Sequence, residues 1–521
     1  MTFLYPPLSE NEKKSRFREL QSQLCKHWLE PEQLGNIKQD LLVIPSLSLD
    51  QREAQKIEGV HYFEERLLFY LTHLRNPSSK LIYLTSQSLP PSIINYYMRL
   101  ILGFSSPSDC DRLLLLSTDD PSHKPLTQKI LERPHLIQQI HQALQPEQSY
   151  MICYNSTPLE QDLSILLSIP LFALNPELEC WGTKSGSHHI FAECGIPHPE
   201  GSELVWNVED LALAAAALWE RQPTARRMVI KLNEGFSGQG NALLDLQPVS
   251  SVAPGSASRA ERANTIYRNF TNMRFQAKNE TWENFSSRIP DLGAIVEIFI
   301  EGETKLSPSV QGSIKPNGKV EIFSTHEQIM GGLDNQVYVG CSFPADPVFS
   351  IRLKEFGLQI GKNLAKKGAL EDFCVDFVAV RQSSDEGEFY WELQAVEINL
   401  RKGGTTHPFR LLQSLTNGQY DFSSGLFYSQ KGTPKYYVAF DKLQKDQYRG
   451  FLPSKLIDII AEHKLHFNNS TETGCIFHLM SCLSEVGRLG FTCVGNSPQE
   501  AEEIYNKVIK TLDEQTTGVT Y

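Results

Sequence analysis

Short apolar runs alternate with amphipathic stretches along the first third of the chain. Residues 41–45 are a continuous apolar run stopped by Pro45, the pattern of a buried strand. Residues 62–74 predict a helix with Leu67, Leu68 and Leu71 on one face. Further strands are predicted at 81–85, 112–117, 151–154 and 171–174. Strands alternating with helices predict an α/β layer built on a parallel sheet. In the middle of the chain, Asn207 followed by Asp210 reads as a helix start, and the alanine-rich stretch after it as a strong helix former. Residues 228–232 predict a strand that enters a glycine loop, and 294–303 an apolar strand ending in acids. The Ser-, Ala- and Pro-rich stretch 249–262 predicts a flexible insertion. Near the end, strands are predicted at 474–480 and 489–494, and Ser497-Pro498-Gln499-Glu500 reads as a capped helix start.

Composition narrows the class. With 521 residues, 40% hydrophobic and 21% charged, the chain has ample core for two to four domains of about 100–200 residues each. The pattern divides it at 1–176, 177–430 and 431–521. A net charge of −12 gives no general attraction to nucleic acid or anionic lipid. The longest promising apolar run, 211–219, is far short of a bilayer span, and the polar turn after Pro7 predicts no signal peptide. Ten cysteines without a CxxC pair predict reduced thiols and a cytoplasmic protein.

The candidate chemistry lies in 177–430. Lys231 precedes Glu234-Gly235-Phe236-Ser237-Gly238-Gln239-Gly240, a loop whose glycines let backbone N–H groups approach anionic oxygens. The loop is neither a P-loop, since Asn241 and Ala242 follow Gly240, nor a Gly-x-Gly-x-x-Gly fingerprint. Read alone, it is as well explained as an ordinary hairpin. Asp376 lies in a strand-like run, and strand alternation puts Glu397, Asn399 and Arg401 on one face. Two carboxylates and an amide oxygen are hard ligands suited to Mg²⁺, and the arginine suits a carboxylate or a transferring phosphoryl group. In isolation a solvated strand face is the commoner meaning of such a pattern.

The order of the pieces carries more than any one of them. Lys184, then Lys231 and its glycine loop, then the apolar strand ending Glu301-Gly302-Glu303, then Asp376, then Glu397-Ile398-Asn399-Leu400-Arg401 resembles the ATP-grasp superfamily of carboxylate–amine ligases. The segments around 43–48, 62–68, 125–131 and 403–408, with Phe477-His478-Leu479 and 490–495, are similar to pheganomycin-type peptide ligases, which join a pre-ATP-grasp domain to an ATP-grasp domain and a small C-terminal domain. The resemblance implies an α/β pre-ATP-grasp domain, a two-lobed α+β ATP-grasp domain and a small α+β C-terminal domain. It implies that Lys184 and Lys231 hold the phosphates of ATP, with Lys231 and Arg401 acting in catalysis. Gly235, Ser237, Gly238 and Gly240 correspond to the lid, Glu297, Ile298, Phe299 and Ile300 to the adenine hinge, and Glu301 or Glu303 to the ribose-binding acid. Asp376, Glu397 and Asn399 correspond to the ligands of Mg²⁺, with Mn²⁺ as a substitute. The implied activity is amide formation from a carboxylic acid and an amine or peptide through an acyl phosphate, releasing ADP and phosphate. A carboxylate kinase, a thioester-forming ligase and a non-catalytic nucleotide-binding scaffold stay open, as does a homodimer.

Cys475, His478, Cys482 and Cys493 fit no standard zinc spacing, and Phe477 and Leu479 flank the histidine as core strand residues do. His407, after Gly403-Gly404, is a candidate substrate contact, and His326, Glu327 and Gln328 are weaker ones.

Overall fold

The computed structural model describes residues 8–27, 39–49, 51–103, 111–235, 238, 240–277, 279–332, 334, 336–383 and 387–516. Three main sheets organise these residues. The first is parallel, in the order Leu113–Ser117, Leu81–Thr85, Asp40–Ile44, Ser149–Cys153. Its two central strands are buried at every position, which is why they read as unbroken apolar runs. The expected strand at 171–174 is reduced to a single bridge between Leu171 and Met151. Pro170 ahead of it has a carbonyl to offer Met151 but no N–H for a ladder. The helix expected at 62–74 is a tightly wound stretch, Val60–Arg75, with Leu67, Leu68 and Leu71 buried.

The second sheet is antiparallel, in the order Arg274–Phe275, Asn241–Asp245, Arg227–Leu232, Ala294–Ile298. Helices Val208–Arg221 and Arg259–Asn269 pack on it through Leu211, Ala215, Ala263 and Ile266. Asn207 caps the first helix as its sequence predicts, accepting from the Asp210 N–H at 2.7 Å. The stretch 249–262 is packed rather than flexible. Val249 and Val252 enter the core, Ser258 caps the second helix, and the buried Arg262 donates to the carbonyls of Val252 and Ala257. One guanidinium thus satisfies a chain whose small residues suggested looseness.

The third sheet runs Phe389–Asn399, Glu371–Ser383, Pro308–Ile314, Val320–Gly331, Val337–Phe343, Tyr436–Gln444, Arg488–Gly495, Gly474–His478. The helix Ser350–Lys366 covers one end and Pro498–Thr516 the other. Strands from 431–521 therefore extend the sheet that carries Asp376 and Glu397. The apolar face shared by 62–74 and the C-terminal strands forms one core, with Leu68, Leu71, Phe477 and Phe491 in it. This packing makes the three regions walls of a common cleft.

Candidate active site

Lys184 opens the helix Lys184–Cys194, which Thr183 caps by accepting from the Gly186 N–H at 3.2 Å. A Cβ on Gly186 would lie 1.9 Å from the Cys180 carbonyl oxygen. Only glycine lets the preceding turn close there, and that turn fixes where Lys184 starts. Gly186→Ala should therefore cost about 1–3 kcal/mol or more of stability, read as a lower urea midpoint. Asn233, just beyond the strand of Lys231, accepts from the Ser185 N–H at 2.9 Å and ties the second sheet to this helix.

The side chains then converge. Lys184 Nζ lies 2.7 Å from Glu397 Oε1 and 3.2 Å from the Gly235 carbonyl. Lys231 Nζ pairs with Glu297 Oε1 on the neighbouring strand, and His188 Nε2 lies 3.6 Å from Glu297 Oε2. Burial pushes the Glu297 carboxyl up, but Lys231 and His188 outweigh it and hold it at about 2. Asp376 and Glu397 face each other directly across neighbouring strands, at a bulge between Asp376 and Phe377. Gln328 Nε2 at 2.6 Å, Asn399 Nδ2 at 3.1 Å and Cys374 Sγ at 3.1 Å donate to the Asp376 carboxylate. Burial and the facing Glu397 charge nevertheless push the Asp376 carboxyl up to about 6. Glu397 moves the other way: burial raises it, but Lys184, Lys231 and Arg401 together hold it down.

Lys184, Lys231, Gly235, Gly238, Gly240, Ile298, Phe299, Ile300, Asp376, Glu397, Asn399 and Arg401 all line one cavity of about 920 Å³. Gly238 has φ +75°, and a Cβ there would meet the Gln336 carbonyl at 2.1 Å, so the backbone at Gly238 rests against the residue that leads into the strand Val337–Phe343. Ser237 lies outside the described residues, as do Phe236 and Gln239. The hinge is only partly open. Ile298 donates its N–H to the Glu200 carbonyl and Phe299 to that of Arg227, which leaves neither donor for a ligand. The Phe299 ring is held between Arg227 at 4.1 Å and Lys305 at 4.4 Å. Glu301 chelates Arg227, with Nε at 2.9 Å, and neither Glu301 nor Glu303 lines the cavity.

The donor set fits a divalent cation. Asp376 and Glu397 repel each other, Asn399 adds an amide oxygen, and all are hard oxygen donors. Among the described residues there is no cluster of three or more His, Cys, Asp or Glu side chains placed to hold a metal ion. Cys475 and Cys493 instead face each other in the C-terminal core.

His326 and His407 are core residues. His326 hydrogen-bonds Gln311 at 2.6 Å and Tyr437 at 2.5 Å, and His407 packs edge-on against His478 at 4.2 Å. Glu327 does line the cavity, and burial raises its carboxyl to about 7. Its folded value lies above the unfolded one, so the folded state holds the proton longer and stability falls as pH rises from about 4.5 to 7. Glu327→Gln should therefore match the wild type near pH 4 and gain on it by up to about 1.4 kcal/mol per pH unit across that window, measured by urea unfolding.

Sequence reasoning missed the far wall. Lys56, Phe63, Arg66 and Tyr154 from the first region, and Asp441, Lys442, Gln444 and Arg488 from the last, also line the cavity. A signal for Arg66 was present, since Glu64-Glu65-Arg66 interrupts an otherwise apolar helix face.

An "IQCH-like, ATP-grasp" family model matches residues 176–267 and 258–423. Residues 176–423 are thus similar to that family. A "PGM1 C-terminal domain" model matches 455–508, beyond the ATP-grasp segment. The chain is 27% identical over 481 residues to the L-propargylglycine–L-glutamate ligase of Streptantibioticus cattleyicolor, covering 90% of this chain and 93% of that one. It is 20% identical over 456 residues to IQ motif-containing protein H of Danio rerio, covering 79% of this chain and 42% of that protein. Two solved structures share the fold: biotin carboxylase of Campylobacter jejuni, in a β,γ-ATP complex, and the biotin carboxylase domain of Hydrogenobacter thermophilus 2-oxoglutarate carboxylase, with MgADP. Their TM-scores are 0.52 and 0.54 at 11% and 12% identity, covering 91% of this chain and 91% and 90% of theirs. No described helix is long and apolar enough to cross a membrane.

Proposed function

We propose that the protein is an ATP-dependent carboxylate–amine ligase that forms an amide through an acyl phosphate and releases ADP and phosphate. The observation that carries this reading is the convergence of Lys184, Lys231, Asp376, Glu397 and Arg401 on one cavity. Each residue has a stated task. Lys184 and Lys231 neutralise the phosphates of ATP, at the mouth of a glycine loop whose backbone approaches them. Asp376, Glu397 and Asn399 would hold Mg²⁺, which supplies charge neutralisation at the transferring phosphoryl group. Mn²⁺ satisfies the same donors. Arg401 holds the acid's carboxylate in line with the γ-phosphorus and stabilises the charge on the phosphoryl oxygens. A carboxylate oxygen attacks the γ-phosphorus and ADP leaves. The amine nitrogen then attacks the acyl carbon, phosphate leaves, and the nitrogen loses a proton. Closure of the loop 235–240 over the site keeps water from the acyl phosphate.

On this reading, regions 1–176 and 431–521 build the substrate end and region 177–430 the nucleotide end. The partners are a carboxylic acid, an amine or peptide, and a second copy of the chain. The nine described cysteines are free thiols, which supports a reducing, cytoplasmic setting. The test is a phosphate-release screen across acids and amines with Mg-ATP, run with and without hydroxylamine. Release that requires both acid and amine supports the ligase. Phosphorylated acid accumulating without an amine identifies a carboxylate kinase, and product only with a thiol identifies a thioester-forming enzyme. Mg-ATP binding with no turnover in any arm identifies a scaffold.

A further inference from the structure

The far wall of the cavity contains buried polar groups that the nucleotide chemistry does not use. Arg66 comes from the helix Val60–Arg75 and Asp441 from the strand Tyr436–Gln444, and they are 5% and 3% exposed. Arg66 Nη2 pairs with Asp441 Oδ2, and Arg66 Nη1 donates to the Tyr154 hydroxyl at 3.3 Å. Each side chain keeps one group in reserve. Among the described residues, Arg66 Nε and Asp441 Oδ1 have no hydrogen-bond partner. Arg488 Nε, on the neighbouring strand Arg488–Gly495, has none either. Buried polar groups left in that state cost stability unless something completes them, so a cluster of three on one cavity wall is a sign of a binding site.

The cluster has both signs. Asp441 Oδ1 is an acceptor, and the two Nε–H groups are cationic donors. That combination suits a molecule with an ammonium and a carboxylate close together. The surrounding charge is unequal: among the described lining residues that come from Val60–Arg75, Tyr436–Gln444 and Arg488–Gly495, Arg66, Lys442 and Arg488 stand against Asp441. The excess favours a ligand with net negative charge. This wall also borders the reaction centre. A Cβ on Gly404, three residues beyond Arg401, would lie 2.8 Å from the Tyr338 ring, and the Tyr338 carbonyl accepts from Lys442 Nζ at 2.6 Å.

From this arrangement we infer that Arg66, Asp441 and Arg488 form the subsite of an α-amino acid bearing a second carboxylate, with Asp441 taking the ammonium and the two guanidinium groups taking carboxylates. The inference rests on the ligase reading only for what happens next: once the ammonium has passed a proton to the Asp441 carboxylate, its nitrogen is the amine that attacks the acyl phosphate. Asp441 and Arg488 are then specificity residues, remote from the triphosphate.

The test separates the two claims. Calorimetric binding of L-glutamate, L-alanine, glutarate and 4-aminobutyrate to the full chain with Mg-ADP needs no turnover. L-Glutamate should bind at least about 30-fold more tightly than each of the others, the range of one or two charge-assisted hydrogen bonds. Asp441→Asn keeps an acceptor for Arg66 and should weaken both amino acids about 30-fold without changing ADP affinity. Arg488→Gln leaves the Arg66–Asp441 pair intact, so it stays informative if the first variant folds poorly. It should bring L-glutamate and L-alanine to within about 3-fold of each other. Glutarate binding as well as L-glutamate, no binding of L-glutamate at all, or affinities indifferent to Arg488→Gln, would overturn the subsite. Selective L-glutamate binding with no ADP formed from any acid–amine pair would leave the subsite standing and remove the ligase.

Discussion

Lys231→Met is expected to cost the fold about 3–5 kcal/mol and to abolish turnover. Glu297 is 2% exposed, and Lys231 is its ion-pair partner on the adjacent strand. Without the ammonium, the carboxylate keeps only His188 at 3.6 Å. The penalty comes from the charge left behind, so Lys231→Met combined with Glu297→Gln should recover most of the lost stability. It should recover no activity, because the phosphates still lack their lysine. Urea unfolding of the single and double variants, beside phosphate release, separates the two roles. The wild type has a matching pH signature. Glu297 is depressed to about 2, so its contribution is present above the ordinary carboxylate value and is lost as pH falls toward 2. The double variant should lack that acid-side loss.

Glu397→Gln is expected to lower kcat by about 10²–10³-fold or more while leaving the unfolding midpoint close to that of the wild type. The amide keeps an oxygen for Lys184 Nζ, which also donates to the Gly235 carbonyl, so the local packing survives. What changes is the charge facing Asp376. Raising Mg²⁺ should restore part of the activity, since the loss lies in metal affinity and phosphoryl-charge stabilisation. A variant with unaltered kcat would show that the facing carboxylates serve the sheet and not the reaction.

Much of the architecture was legible in the chain, for identifiable reasons. The parallel strands at 40–44 and 81–85 are buried on both faces, so their composition carries the signal directly. Lys184, Lys231, Asp376 and Glu397 were legible as an ordered set, because Lys184, Lys231 and Glu397 sit at or near a helix or strand end and Asp376 inside an apolar strand, each with its own local pattern. Three things were not legible. The hinge donors of Ile298 and Phe299 are taken by Glu200 and Arg227, contacts no local pattern announces. Glu301 looked free to bind ribose but is occupied by Arg227. The far wall of the cavity joins Arg66 to Asp441 across 375 residues, and period-based reading has no access to such pairs. The segment 249–262 failed for a related reason: its order comes from Arg262, a single side chain reaching back to carbonyls in a stretch of small residues.

The central claim is that one triphosphate is gripped jointly by the second and third sheets. It is tested most directly by a crystal structure of the chain with Mg²⁺ and a non-hydrolysable ATP analogue. The account predicts phosphate oxygens within hydrogen-bond distance of Lys184 Nζ and Lys231 Nζ, and a metal at about 2.0–2.1 Å from oxygens of Glu397 and of Asp376 or Asn399. A triphosphate seated in another cleft, or a metal held without either carboxylate, would contradict it.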